Sequence, residues 1–178
     1  MDIDIDDFKE KRKYLVSALM LGHMYLLIKV HKKNSPGRAV VSQVNNPTYK
    51  VCKILTDICI PLAKSRQPFV ENTYALRTFL DKLNIDKNDM QASFDVVALY
   101  PSLLIPKAPS CVRKKLLNDT TSADCTDWKP DDIMKLLEIC LETYFKTIDG
   151  KIYTQLDGTP LGKSISGPIA HIFMIWFE

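Results

Sequence analysis

The sequence has no C-x-x-C pair, no internal repeat, no low-complexity tract and no apolar run of the ~18 residues that a transmembrane helix needs. Each absence excludes something. The five cysteines, Cys52, Cys59, Cys111, Cys125 and Cys140, are odd in number and lack ligand spacing. They argue against a disulfide framework or a zinc ribbon, and for a reducing compartment. His23, His31 and His171 likewise show no metal spacing and carry no assignment. Lys9 to Lys13 followed by Leu15 to Ile28 imitates a secretory signal, but Gly22 and His23 interrupt the run and no A-x-A site follows it. A helix leading into a strand is the expectation there, and no association with a membrane.

Net charge is also modest, at +3 over 178 residues, and 46% hydrophobic content with a mean hydropathy of −0.08 is ordinary for a globular domain. The distribution of charge is not ordinary. Residues 29–66 hold eight basic side chains, Lys29, Lys32, Lys33, Arg38, Lys50, Lys53, Lys64 and Arg66, against the single acid Asp57. That stretch is built to meet an anion. On Lys50 and Lys53 alone, a solvated helix face is the simpler reading.

Residues 6–22 are expected to form a helix. Tyr25 to Val30 and Ala39 to Val44 are β-rich runs, joined by a basic loop whose Asn34-Ser35-Pro36-Gly37 is turn chemistry, so a hairpin is predicted. Val51, Ile54, Leu55, Ile58 and Leu62 recur at helical spacing, with Pro47 before them and Pro61 near the end. Asn72 is placed to cap a helix reaching about Leu83. Met90 to Val97 alternates, with Met90, Ala92, Phe94 and Val96 on one side, which predicts a strand carrying Asp95 near its end. Helices are predicted over 108–118 and from Pro130, where Asp131 and Asp132 suit a first turn. Asp149-Gly150 signals a two-residue hairpin, and a glycine-rich loop (Gly158, Gly162) precedes an apolar helix from about Ser164. That last helix ends in Ile172 to Phe177, an apolar stretch a domain normally covers, so the chain is expected to be part of a longer protein.

Asp157 to Ser164 resembles a phosphate-binding P-loop, ending in Gly162-Lys163-Ser164, but with Asp157 where the pattern needs its first glycine. The first glycine stands one residue too close to the second, which changes the amides that face a phosphate. A glycine-rich loop that lets something flat approach the backbone fits better. A nucleotidase that used Lys163 remains the fainter expectation.

Four ordered blocks resemble the reverse transcriptase domain of Penelope-like retroelements. They are Tyr25-Leu26-Leu27-Ile28-Lys29-Val30-His31-Lys32, Gly37-Arg38-Ala39-Val40-Val41-Ser42, Ser93-Phe94-Asp95-Val96-Val97-Ala98-Leu99-Tyr100, and Tyr153 to Gly162 running into Ile165-Ser166-Gly167. The resemblance spans about residues 24–178. It implies an α+β fold comprising the fingers and partial palm of a right-handed polymerase. A helical lead-in (1–23) would come first, then fingers-like basic residues (24–90) and a partial palm (91–178).

The resemblance further implies RNA-directed DNA synthesis from deoxynucleoside triphosphates on an RNA or DNA template with a primer, by a two-magnesium mechanism. Asp95 would be the catalytic carboxylate and a metal ligand, helped by the backbone carbonyl of Val96. Lys29 and Arg38 would grip the nucleotide phosphates, Tyr100 would pack under the incoming sugar, and Gly162 would admit the nascent base pair. Lys32, Lys33, Lys50 and Lys53 would track nucleic-acid phosphates. The resemblance also implies an intracellular protein whose substrate would be used in the nucleus.

Ile28, Ala39 and Leu161 depart conservatively from the family pattern. Lys163 departs more: beside the base-pair platform, it would bind template phosphate or obstruct the nucleotide. The paired aspartates that the family places in a later hairpin do not occur, Asp131-Asp132 being out of order. The 178 residues alone are therefore expected to bind without catalysing, and the alternative is a non-catalytic nucleic-acid-binding remnant of a retroelement.

Overall fold

A computed structural model describes residues 19–64, 70, 72–118 and 126–177. The fold is mixed α and β, with one four-stranded sheet and six helices among the described residues. The strands are β1 (Gly22–Ile28), β2 (Gly37–Ser42), β3 (Tyr144–Lys146) and β4 (Ile152–Thr154). The helices are α1 (Tyr49–Lys64), α2 (Thr73–Leu80), α3 (Leu99–Ser102), α4 (Ala108–Asn118), α5 (Pro130–Leu141) and α6 (Ser166–Phe177). The helix expected over 6–22 lies largely outside the described residues, and Gly22 already belongs to β1.

The predicted basic hairpin forms. β1 and β2 pair antiparallel from His23↔Ser42 to Ile28↔Gly37, and Lys29 N–H closes the loop on Pro36 C=O at 3.0 Å. Asn34 and Ser35 take left-handed backbone at its tip, with φ of 66° and 41°; asparagine is among the residues that accept this most readily. The sheet order is β2-β1-β3-β4, with β1 and β3 parallel, so the first hairpin and the second share one sheet. The second loop is longer than the predicted two residues. Gly150 N–H bonds to Thr147 C=O at 2.9 Å and Thr147 N–H to Lys151 C=O at 3.0 Å, leaving Ile148, Asp149 and Gly150 as the loop. Gly150, at φ 84°, supplies the left-handed residue that a three-residue loop requires.

The core is helical. Cys52, Leu55, Ile58, Cys59 and Leu62 of α1 pack with Val112 and Leu116 of α4, Ile133 and Leu137 of α5, and Ile169, Ile172 and Phe173 of α6. Leu55, Ile58 and Leu62 are predicted stripe positions, whereas the predicted Val51 and Ile54 only pack against the core from its edge; burying these faces supplies most of what holds the helices. Pro130 opens α5 and Asp131 and Asp132 stand in its first turn, where carboxylates meet the positive helix end. Asp131 also pairs with Arg113 of α4 at 2.7 Å. Asn72 caps α2 through Ala75 N–H at 3.0 Å, although the helix stops at Leu80 rather than Leu83.

One prediction fails. Met90 to Val97 is not a strand: it is irregular and exposed, with Met90 and Phe94 each 95% accessible. Alternation gives a segment two faces but no ladder partner, and none of the four strands pairs with it.

The contrast between core and periphery yields a prediction. Leu55→Ala or Leu137→Ala should cost about 2–5 kcal/mol in denaturant unfolding, because both are fully buried. Phe79→Ala in α2, which buries no residue, should cost less than about 1 kcal/mol.

Candidate functional site

The basic hairpin and the Asp95 segment form two walls of one cleft, of about 570 Å³. Lys29, Lys32, Gly37, Arg38 and Ala39 line one side, and Asp95 to Pro101 the other, with Leu161 between them. Lys29 comes directly after the last residue of β1, and Arg38 is the second residue of β2, opposite Leu27 in the register. The strand pairing therefore fixes both cations at the same end of the hairpin. Across from them, Ala98 takes left-handed backbone at φ 52° and turns the chain into the short α3 that carries Tyr100.

A glycine-rich loop joins the two walls. Thr159 N–H donates to Tyr100 C=O at 2.9 Å, and Val41 N–H donates to Leu161 C=O at 2.8 Å. The glycines make these approaches possible. A Cβ on Gly158 would lie 2.5 Å from Tyr100 O and 2.4 Å from Pro101 O, and one on Gly162 would lie 2.3 Å from Val41 O. Both glycines also have positive φ, 68° and 113°. Ser166 anchors the loop to the start of α6: its hydroxyl lies 2.7 Å from that of Thr159 and donates to Pro160 C=O at 2.9 Å.

Of the sequence-predicted residues, the cleft brings together Lys29, Lys32, Arg38, Asp95, Val96 and Tyr100. Lys33, Lys50, Lys53 and Gly162 do not line it. Lys33 is exposed in the hairpin loop, and Lys50 and Lys53 lie on α1, where the Lys53 ammonium sits 5.0 Å over the Tyr49 ring. Gly162 is required by its approach to β2 within the chain itself. Tyr100 lines the cleft but packs against the helical core, and its hydroxyl lies toward Gly167.

Lys163 corrects an expectation outright. It is only 5% exposed, and its ammonium donates to the carbonyls of Cys140 and, at 2.8 Å, Glu142. It therefore satisfies the C-terminal end of α5, away from any platform or phosphate. Helix α5 has no basic residue in its own last turn, and Lys163 supplies the missing cation from a distant loop. This removes the P-loop reading, which needs that ammonium on a phosphate.

No described residue forms an ion pair with Lys29, Lys32, Arg38 or Asp95. Three unpaired cations on one wall favour a polyanion, and the guanidinium can grip phosphate through two parallel bonds. The donor set for metal is thinner. Among the described residues, Asp95 is the sole carboxylate lining the cleft, and no group of three His, Cys, Asp or Glu could hold an ion. Asp95 and the Val96 carbonyl do not by themselves fit a pair of magnesium ions.

No family model and no curated protein matches the chain. Among the described residues, no helix is long and apolar enough to cross a membrane.

Two substitutions test this geometry. Lys163→Met should destabilise the fold by about 1–3 kcal/mol, since it strands interior carbonyls, and calorimetric titration should find ATP affinity unaltered by it. Gly158→Ala should cost about as much, through backbone strain and contact with Tyr100 and Pro101.

Proposed function

We propose that this chain is the fingers and partial palm of an RNA-directed DNA polymerase related to Penelope-like retroelements, and that its cleft receives primer, template and nucleotide. The observation that carries the reading is the cleft itself. Lys29, Lys32 and Arg38 face Asp95 and Tyr100 across it, and all five stand within three of the four blocks that resemble that family. The fourth block is the loop that joins the walls.

The chain's own residues do the following in this reading. Lys32 and Lys29 neutralise phosphates along the hairpin, and Arg38 holds a phosphate in a fixed orientation through its planar fork. The Thr159 and Leu161 backbone bonds keep the Asp95 wall at a constant distance from these cations. Lys33, Lys50 and Lys53 extend the positive surface beyond the cleft. In a polymerase the magnesium ions supply activation of the primer hydroxyl and charge neutralisation. The described donors do not complete that site, so no transfer step is assigned to these residues alone.

One observation favours a second reading for the 178-residue polypeptide. With Asp95 the one carboxylate among the described residues that line the cleft, it acts as a non-catalytic nucleic-acid-binding module, a retroelement remnant that keeps the cationic grip. The two readings share a binding mode and part on extension by the chain.

Fluorescence anisotropy with a labelled primer–template tests the shared part. Binding should weaken steeply with salt, and replacing Lys29, Lys32 and Arg38 with alanine should lower affinity at least about tenfold and flatten the salt slope by ~1 per lost phosphate contact. Lys50→Ala/Lys53→Ala should cost less, and Asp95→Asn should not weaken binding. A curve indifferent to salt or to the triple substitution would refute the reading. Primer extension at a useful rate by this polypeptide would exclude the non-catalytic version.

A further inference from the structure

The tip of the basic hairpin carries a hydroxyl that the cleft does not use. Ser35 is followed directly by Pro36, and Arg38 stands three residues on. Every residue from His31 to Ala39 is exposed. A proline leaves extended backbone as the favoured form of the residue before it. Ser35 is instead held in left-handed backbone, at φ 41°. Three bonds of the loop hold it there: Lys32 N–H on Lys29 C=O, Ser35 N–H on Lys32 C=O and Lys29 N–H on Pro36 C=O, each of 3.0 Å. So few bonds in an exposed loop open at little cost, and opening lets Ser35 relax into the extended form that a peptide-binding groove takes.

The chain offers its own comparison. Serine or threonine precedes proline at two places only, Ser35 and Thr159. Thr159 is 1% exposed, its hydroxyl is engaged with that of Ser166, and the residue three beyond it is Gly162. Ser35 alone combines an accessible hydroxyl, a following proline and a cation at the third position.

We propose that Ser35 is a phosphorylation site for a proline-directed serine kinase, one whose groove accepts Pro36 and sets an acidic group against Arg38, and that the phosphoserine closes the cleft to nucleic acid. The closure rests on the nucleic-acid reading of the cleft; the modification does not. In the transfer the Ser35 Oγ attacks the γ-phosphorus of ATP and a new O–P bond forms. The bond from that phosphorus to the bridging oxygen breaks, ADP leaves, and the hydroxyl proton passes to the base of the kinase.

Hairpin closure sets what the phosphate meets. Lys29 is bonded to Pro36, Lys32 to Ser35 itself, and Arg38 is the second residue of the strand that leaves the turn. Among the described residues none of the three cations has an ion-pair partner. A phosphoserine brings a charge of about −1.5 to −2 and three acceptor oxygens, which pair with such side chains through charge-assisted bonds. The described lining of the cleft holds these three cations and one carboxylate, Asp95. A dianion among them brings that balance close to zero and removes the attraction for a polyanion.

The test treats the whole 178-residue protein with ATP and a purified proline-directed kinase that requires a basic residue at the third position. Intact mass and peptide mapping should find one phosphoryl group, on Ser35, and none on Thr159 or in Ser35→Ala. In ³¹P spectra the phosphoserine should titrate at lower pH than in a free peptide of the same sequence. Lys32→Ala, which leaves His31 and Lys33 in place, should move it back. The phosphorylated protein should bind labelled primer–template at least about tenfold more weakly than the unmodified one, with the salt slope lower by ~2. Phosphate on other residues with Ser35 untouched would overturn the site. A phosphoserine that titrates as in the free peptide, or an unchanged affinity for primer–template, would overturn the closure. Failure of the unmodified protein to bind primer–template would sink the nucleic-acid reading and the closure with it, while the peptide map still decides the site.

Discussion

Two backbone hydrogen bonds set the shape of the cleft, while the apolar helical core holds the fold. Thr159 N–H on Tyr100 C=O and Val41 N–H on Leu161 C=O fasten one loop to two segments far apart in sequence. They join the cationic hairpin and the start of α3 through one loop, in addition to the pairing of β1 with β3 and the packing of Tyr100 on the core. The loop can serve this way because Gly158 and Gly162 let its backbone reach two others at distances any Cβ would forbid. Its far end is held from inside the core, by Lys163 on the last carbonyls of α5 and by Ser166 at the start of α6. The cleft is thus a surface feature whose shape is set from the interior.

The helices and hairpins were legible because their signals are local. Pro130 with Asp131 and Asp132, the Asn72 cap, and the apolar spacing of Val51 to Leu62 each state their structure within a few residues. Where evidence had to come from across the fold, reading the sequence stopped short. The alternation of Met90 to Val97 is real, yet pairing depends on a partner strand that the segment itself cannot name. Lys163 was placed by its neighbours in sequence, beside a loop thought to face a ligand. Its position follows instead from the carbonyls of Cys140 and Glu142, and the only local hint was a helix with no cation in its last turn.

The site divides in the same way. Lys29, Lys32, Arg38, Asp95, Val96 and Tyr100 were singled out from ordered blocks, and the fold gathers them into one cleft. Gly162 was singled out for a ligand's approach, and the structure gives it a partner within the chain. Lys50 and Lys53 belong to a helix face whose charge does not converge on the cleft. Electrostatics explains the asymmetry that results. Three cations with no ion-pair partner face one carboxylate, a balance suited to holding a polyanion and short of what a pair of divalent ions needs.

The central claim is that both walls close on the same nucleic acid because the loop holds them together. Hydrogen–deuterium exchange with and without a primer–template tests this directly. The account predicts that ligand slows exchange in peptides covering residues 29–38 and in those covering 95–101 together, with Thr159 and Val41 protected in either state. Slowing confined to α1, or to one wall alone while Thr159 exchanges freely, would contradict it.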